Sequence, residues 1–318
     1  TNYRRSGDAP PRSEILLCMS KLNQAKLSLD ARDRGERREL VAAGTKTVYW
    51  FYKARSKKPL GSVILIHGYR GNPHGLEAIA GAINDLDVYI PDLPGFGQSA
   101  PFEKEHTIVH YAQWVGDFIT QLKLRKKPHL LGHSFGSIVV SCYASGNPQI
   151  ETLILENPVS APALKGPRAF TTMIAKFFFV IAGLLPEAAG QWVLKSWPMV
   201  RGMSIIMTKS RIKELRQWIH KQHDDNFNDY ANRRVALEGY AASISNCVSD
   251  YANAFRVPVL ALTATLDDIT SIKQQQAMFA LIESPAQLKV FENVGHLTHY
   301  EIPEKIAGAI EQWVRERD

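Results

Sequence analysis

The sequence predicts an α/β protein, a mostly parallel doubly wound sheet with an inserted helical cap. Three observations carry this expectation. Short apolar runs of strand length alternate with amphipathic helical patterns through most of the 318 residues, the order that folds into a parallel sheet covered on both faces. The alternation stops between about Pro158 and Asn246, where helical patterns follow one another, and resumes at Val257. Between an apolar run, Pro128 to Leu131, and a helix-like run, Ser137 to Ala144, stands Gly132-His133-Ser134-Phe135-Gly136, the spacing of a sharp strand-to-helix turn.

Along the chain, residues 1–35 are polar and charged and are expected to form an N-terminal arm or helix, with one amphipathic stretch from Ile15 to Leu29. Thr45 to Tyr52 is rich in β-branched and aromatic residues, as a strand is. Ser62 to Ile66, Val88 to Ile90, His129 to Leu131, Thr152 to Leu155, Val257 to Leu262 and Leu288 to Phe291 are short apolar runs, as strands buried on both faces require. Ile108, Tyr111, Val115, Phe118 and Leu122 recur at helical spacing, as do Ile302, Ile306, Ile310 and Trp313. The core is therefore expected in residues 36–157 and 248–318. Residues 158–247 would form the cap, over the strand ends that carry chemistry in such sheets.

Composition narrows the class. With 45% hydrophobic and 22% charged residues, disorder is excluded as the dominant state. The net charge of +7 is spread in small groups such as Lys57-Lys58 and Arg125-Lys126-Lys127. No recognition motif accompanies it, so nucleic acid is not an expected partner. The three cysteines, Cys18, Cys142 and Cys247, form no C-x-x-C pattern, so neither a disulfide framework nor a zinc site is suggested. That usage fits a reducing, cytoplasmic location, and Thr1 to Leu40 lacks the layout of a signal peptide. Met173 to Leu185 is the most apolar stretch, but Lys176 interrupts it and Pro186 ends it, short of the roughly 20 residues of a membrane span.

The chemistry centres on Ser134. So tight a turn forces its central residue into a strained backbone conformation, and side chains at the flanking glycines would collide with strand or helix. The hydroxyl is then held clear of the sheet at a helix N-terminus, where negative charge is favoured. These are the needs of a serine that attacks a carbonyl. Downstream, Leu260 to Leu262 leads into a turn bearing Asp267 and Asp268, and Phe291 leads into a turn bearing His296, with His299 close behind. Asp267 and His296 are the expected acid and base, and Asp268 and His299 their rivals. The oxyanion hole is assigned to the backbone N–H groups of Phe135 and Tyr69, with His67 holding the latter's loop by hydrogen bonding. The chemistry implies neither a metal nor an organic cofactor.

These motifs resemble the α/β-hydrolase family. The resemblance rests on His67-Gly68 after a strand, on Asp92-Leu93-Pro94-Gly95-Phe96-Gly97-Gln98-Ser99, on the turn at Ser134, and on Gly295-His296 followed by Glu301 and Pro303. It spans residues from about 40 to the C-terminus and leaves out residues 1–35. Two departures surround the acid: Ala264 stands where members often have glycine, and Ser271 where they often have proline. The resemblance implies a serine nucleophile with a helical cap, hence esters, thioesters, amides or lactones. Carbon–carbon bond hydrolases of ring-cleavage products share the triad; Arg201 or Arg211 would then hold substrate carboxylates. A non-catalytic binding protein on the same fold is the third reading.

Four of the six methionines, Met173, Met199, Met203 and Met207, fall in the cap, with Trp192, Trp197, Trp218 and Phe177-Phe178-Phe179. Met199, Met203 and Met207 would share a helix face. This face is either packing between cap and core or an adaptable lining for an acyl chain. The latter makes a small-molecule ester with an apolar chain the expected substrate, and peripheral membrane contact through the cap, near Lys176 and Lys195, a further expectation.

Overall fold

The computed structural model describes residues 22–162 and 169–317. Eight strands form one sheet: β1 (Glu36–Ala42), β2 (Thr45–Tyr52), β3 (Gly61–Ile66), β4 (Leu86–Pro91), β5 (His129–His133), β6 (Leu153–Glu156), β7 (Val259–Ala264) and β8 (Ala286–Phe291). Their order is β1-β2-β4-β3-β5-β6-β7-β8. Pairing is antiparallel for β1 with β2 and for β2 with β4, and parallel from β4 to β8. This is the α/β-hydrolase fold, and it places the carboxyl ends of β3, β5, β6, β7 and β8 along one edge.

The central strands form because they can be buried on both sides. Every residue of β5, β6 and β7 is buried. One face packs on α3 (Ile108–Leu122) and α4 (Phe135–Ala144), the other on α2 (Glu77–Ala82) and α12 (Pro303–Arg315). Helix α3 begins where Thr107 accepts from the His110 N–H at 3.2 Å and ends at Lys123 in the left-handed region, φ 51°. Helix α12 begins with Pro303, whose missing N–H costs a first turn nothing.

The sequence did not announce β1. Glu-Arg-Arg-Glu-Leu-Val-Ala is largely exposed and charged, with Arg37 and Lys46 both pairing Glu39, and is held by its backbone pairing with β2. Such charging blunts an edge strand and erases the apolar signal. The N-terminal expectation lies partly outside the described residues, Ile15 to Lys21 and Cys18 among them. What is described is α1 (Asn23–Arg34), docked on α2 where a Cβ on Gly81 would meet the Leu27 carbonyl oxygen at 2.1 Å. Arg32 pairs with buried Glu77 at 2.7 Å.

Between β6 and β7 the described residues contain five helices: α5 (Ala169–Leu184), α6 (Glu187–Leu194), α7 (Trp197–Met207), α8 (Lys213–Asn226) and α9 (Arg233–Ser245). The side chains of Met173 and Lys176 lie outside the described residues. The insertion meets the core along Gly95 to Gly97, where Ala231 N–H donates to Gly95 O at 2.9 Å and Gly97 N–H to Asp229 O at 2.8 Å. The remaining helices are α10 (Ile272–Phe279), capped by Ser271 with Gln274, and the short α11 (Thr298–Glu301). Among the described residues no helix is long and apolar enough to cross a membrane.

Candidate active site

Ser134 sits between β5 and α4 with φ 52° and ψ −118°, a conformation that costs a residue with a side chain on the order of 1–3 kcal/mol. The flanking glycines make the turn feasible. A Cβ on Gly132 would meet Gly136 O at 2.4 Å, and one on Gly136 would meet Ile66 O at 2.3 Å. Strand, helix and the neighbouring strand β3 thus touch backbone to backbone, and the serine side chain has one way out, toward the cap.

Two distant turns meet it. His296 Nε2 lies 2.8 Å from Ser134 Oγ, and His296 Nδ1 lies 2.9 Å from Asp267 Oδ2. A carboxylate only accepts, so Nδ1 carries the ring proton and Nε2 is free to accept from the serine hydroxyl. Asp267 is buried and richly bonded. Its Oδ2 also accepts from Asn157 Nδ2 at 2.9 Å and Gln275 Nε2 at 3.3 Å, and its Oδ1 from the Ile269 N–H at 2.8 Å. Burial alone would push this carboxyl up, but the His296 imidazole and these donors outweigh it and hold it below the usual carboxylate range.

The rivals are placed elsewhere. Asp268 is ion-paired with Lys209. His299 is buried beside His133, their ring centroids 4.2 Å apart, and burial pushes it well below its ordinary value.

The loop after β3 lies across the nucleophile: a Cβ on Gly68 would come within 3.3 Å of Ser134 Cβ. His67 braces this loop. Its Nδ1–H donates to Gly68 O at 2.9 Å, and its Nε2 accepts from the Leu93 N–H at 3.0 Å. Both nitrogens are therefore occupied, and burial pushes the ring down to about 4, keeping it neutral. Among the described residues neither the Tyr69 nor the Phe135 N–H donates to a protein acceptor. The side chains of Tyr69 and Arg70 grip the cap instead. Tyr69 Oη donates to Ala236 O at 2.6 Å. Arg70, fully buried, donates to Leu194 O at 2.9 Å, to Phe227 O at 3.1 Å and to Asn228 Oδ1.

A cavity of about 430 Å³ opens above Ser134. Its apolar lining includes Val159, Met203, Ile206, Met207, Ile244 and Leu297. Met199 departs from the expected lining: its sulfur faces Arg70 Nη1 at 3.9 Å and it packs with the core. The α7 face curves from the core contact at Met199 toward the cavity at Met203 and Met207. The aromatic residues also divide. Phe179 stacks on the cavity residue Tyr240 with centroids 3.9 Å apart, and Trp218 packs edge-on against Tyr300. Trp192 and Trp197 face outward. Neither Arg201 nor Arg211 lines the cavity; Arg201 is paired with Asp224 and Arg211 is exposed. The carboxylate-binding role considered for them is not available.

Sequence reasoning missed Asn157, Gln275 and Thr298. Asn157 follows β6 directly, at φ 44°, and a polar residue at a buried strand's carboxyl end was the available signal. Gln275 and Thr298 carried none, since each sits in a helix whose other residues explain its pattern.

A serine-hydrolase arrangement on an α/β-hydrolase sheet defines the class. A model of the serine aminopeptidase S33 family matches residues 57–303, and the chain belongs to that family. Monoglyceride lipase of Rattus norvegicus is 25% identical over 303 residues, 87% of this chain and 90% of the relative. Lipase 3 of Moraxella sp. is 30% identical over 110 residues, and that match covers 34% of each protein. Among solved structures, an esterase from Exiguobacterium antarcticum superposes with a TM-score of 0.71 at 20% identity, covering 88% of this chain and all of its own. The chain is an esterase- and lipase-like member of the α/β-hydrolases.

Proposed function

We propose that the protein hydrolyses carboxylic esters with an apolar acyl chain, and that Ser134, His296 and Asp267 are its triad. The observation carrying this is the unbroken hydrogen-bond line Ser134 Oγ–His296–Asp267, at 2.8 and 2.9 Å, at the floor of an apolar cavity. As Ser134 Oγ bonds to the acyl carbon, its proton passes to His296 Nε2 and the carbonyl electron pair moves onto oxygen. The N–H groups of Tyr69 and Phe135 receive that oxyanion. Collapse expels the alcohol, which takes the proton from His296. Water then repeats the sequence and frees the acid. Asp267 keeps the imidazole in the Nδ1–H tautomer and balances its positive charge.

Chemistry of the lining supports an ester rather than a peptide with a free amino terminus. The two carboxylates that line the cavity among the described residues, Asp267 and Asp268, are engaged by His296 and Lys209, which leaves neither to pair a substrate ammonium. The similarity to a monoglyceride lipase, whose name is that of an acyl ester hydrolase, points the same way. The test is fluorophosphonate labelling with Ser134→Ala as control, followed by nitrophenyl esters of increasing chain length. Labelling of the parent alone, with activity rising from acetyl to medium chains, is the expected result. An unlabelled parent would overturn the hydrolase assignment, and activity confined to acetyl would overturn the acyl preference.

A further inference from the structure

Behind the triad lies a buried acid that the mechanism above does not use. Glu156 ends β6 and is fully buried. Its Oε1 lies 2.7 Å from Thr298 Oγ1, and Thr298 Oγ1 lies 2.7 Å from Asn157 Oδ1. Thr298 has one hydroxyl proton for these two oxygens. The orientation of the Asn157 amide is fixed on its other side, where Nδ2 donates to Asp267 Oδ2 at 2.9 Å and Gly295 O at 3.3 Å. Asn157 Oδ1 can only accept, so the Thr298 proton belongs to it. The remaining 2.7 Å contact then needs a proton from Glu156. The second carboxyl oxygen agrees: among the described residues Oε2 has no hydrogen-bond partner, and His133 Nδ1, at 3.7 Å, is too far to donate. A buried carboxylate so poorly served would be costly; a neutral carboxylic acid is not.

We propose that Glu156 is a positioning residue, held as a neutral carboxylic acid, that orients the Asp267–His296 pair through Thr298 and Asn157. The line runs Glu156 O–H to Thr298 Oγ1, Thr298 O–H to Asn157 Oδ1, and Asn157 Nδ2–H to Asp267 Oδ2. Its catalytic consequence rests on the triad assignment; the protonation state does not. Burial supports it by pushing Glu156 from the ordinary 4.5 up to about 7. The titratable groups facing it are His133 on β5, His296 before α11 and His299 on α11. His133 and His299 are pushed well below the ordinary imidazole value by burial and so stay neutral. The side-chain polar atoms of His133, Glu156 and His299 lie within 4.8 Å of one another, and a metal ion there would first have to displace the Glu156 proton.

When Glu156 ionises, its carboxylate competes for the Thr298 proton and Asn157 loses its brace. Alkaline pH should therefore weaken catalysis in the parent through this relay. Glutamine at 156 can donate its amide N–H to Thr298 but cannot ionise. The sign for stability follows from the raised value: between 4.5 and about 7 the folded state holds a proton the unfolded chain has lost, so stability contributed by this group falls as pH rises through that window.

The test combines infrared spectroscopy with kinetics. The parent at pH 6 should show a protonated-carboxyl stretch, shifted in D2O, that Glu156→Gln lacks. Thr298→Val should lower kcat for a nitrophenyl ester about tenfold with KM unchanged, the scale of one lost buried hydrogen bond to a charged group's support. Glu156→Gln should stay within about threefold of the parent at its optimum and lose the parent's alkaline decline between pH 7 and 9, since the scale of a conserved hydrogen bond is small. A reactive parent without the infrared band overturns the inference, as does Thr298→Val with parental kcat or Glu156→Gln with the parental alkaline limb. The infrared arm needs no turnover. A band in a parent that fluorophosphonate leaves unlabelled would overturn the hydrolase assignment and leave the protonated acid standing.

Discussion

The floor and the roof of the cavity are built on opposite plans. The floor, at the carboxyl ends of β5 to β8, is dense with polar bonds: Asp267 alone accepts from His296, Asn157, Gln275 and two backbone N–H groups. The roof presents methionine and isoleucine, and its outer face leaves Leu184 82% and Trp192 74% exposed. Directional bonds fix atoms to a few tenths of an ångström, as charge transfer demands. Dispersion contacts from flexible side chains shape a cavity's volume instead. Under the proposed function, the chemistry and the choice of substrate fall to different parts of the chain and should respond differently to mutation.

Three variants probe that division, in order of expected effect. Asp267→Asn should reduce kcat by about 10⁴-fold while leaving the fold intact, because the imidazole would be held in the wrong tautomer. Steady-state kinetics beside a thermal melt checks this, and a loss under tenfold would assign the acid's role to another group. Gly136→Ala should destabilise the protein by about 1–3 kcal/mol and slow fluorophosphonate labelling, since its Cβ would sit 2.3 Å from Ile66 O. Unchanged melting and labelling would mean that the turn tolerates a displaced β3. On the roof, Met203→Ala with Met207→Ala should cost medium-chain esters about tenfold in kcat/KM, the worth of one or two lost apolar contacts, and leave acetyl esters nearly unaffected. An equal loss on every ester would place these methionines in the floor's business, not the roof's.

The coupling between the two regions runs through adjacent residues. Tyr69 carries a proposed oxyanion donor on its backbone while its hydroxyl holds Ala236, and Arg70 next to it holds three cap acceptors. Among the described residues this guanidinium has no carboxylate partner; it is fitted to carbonyl dipoles and to the faces of Phe227 and Tyr230, 5.0 and 5.3 Å away. The loop proposed to receive the oxyanion is therefore tied on both sides, to Leu93 after β4 by His67 and to the cap by its side chains.

What the sequence by itself determined was local. Continuous apolar runs specified buried parallel strands, except that β8, at the sheet's edge, is half-buried or exposed over most of its length; helical periodicity specified α3 and α12, and the glycine spacing around Ser134 specified a turn that only close backbone contact can explain, as the 2.3 and 2.4 Å approaches at Gly136 and Gly132 make plain. β1 escaped because it is an exposed edge strand with charged side chains, held by its backbone pairing to β2, and backbone pairing leaves no apolar pattern. Which of two aspartates meets the imidazole, where the helix of methionines turns away from the cavity, and that Asn157, Thr298 and Glu156 stand behind the proposed triad were decided by tertiary structure alone. Hydrogen bonds between residues 110 or 141 positions apart depend on strand order and register, and these arise only when the sheet has assembled.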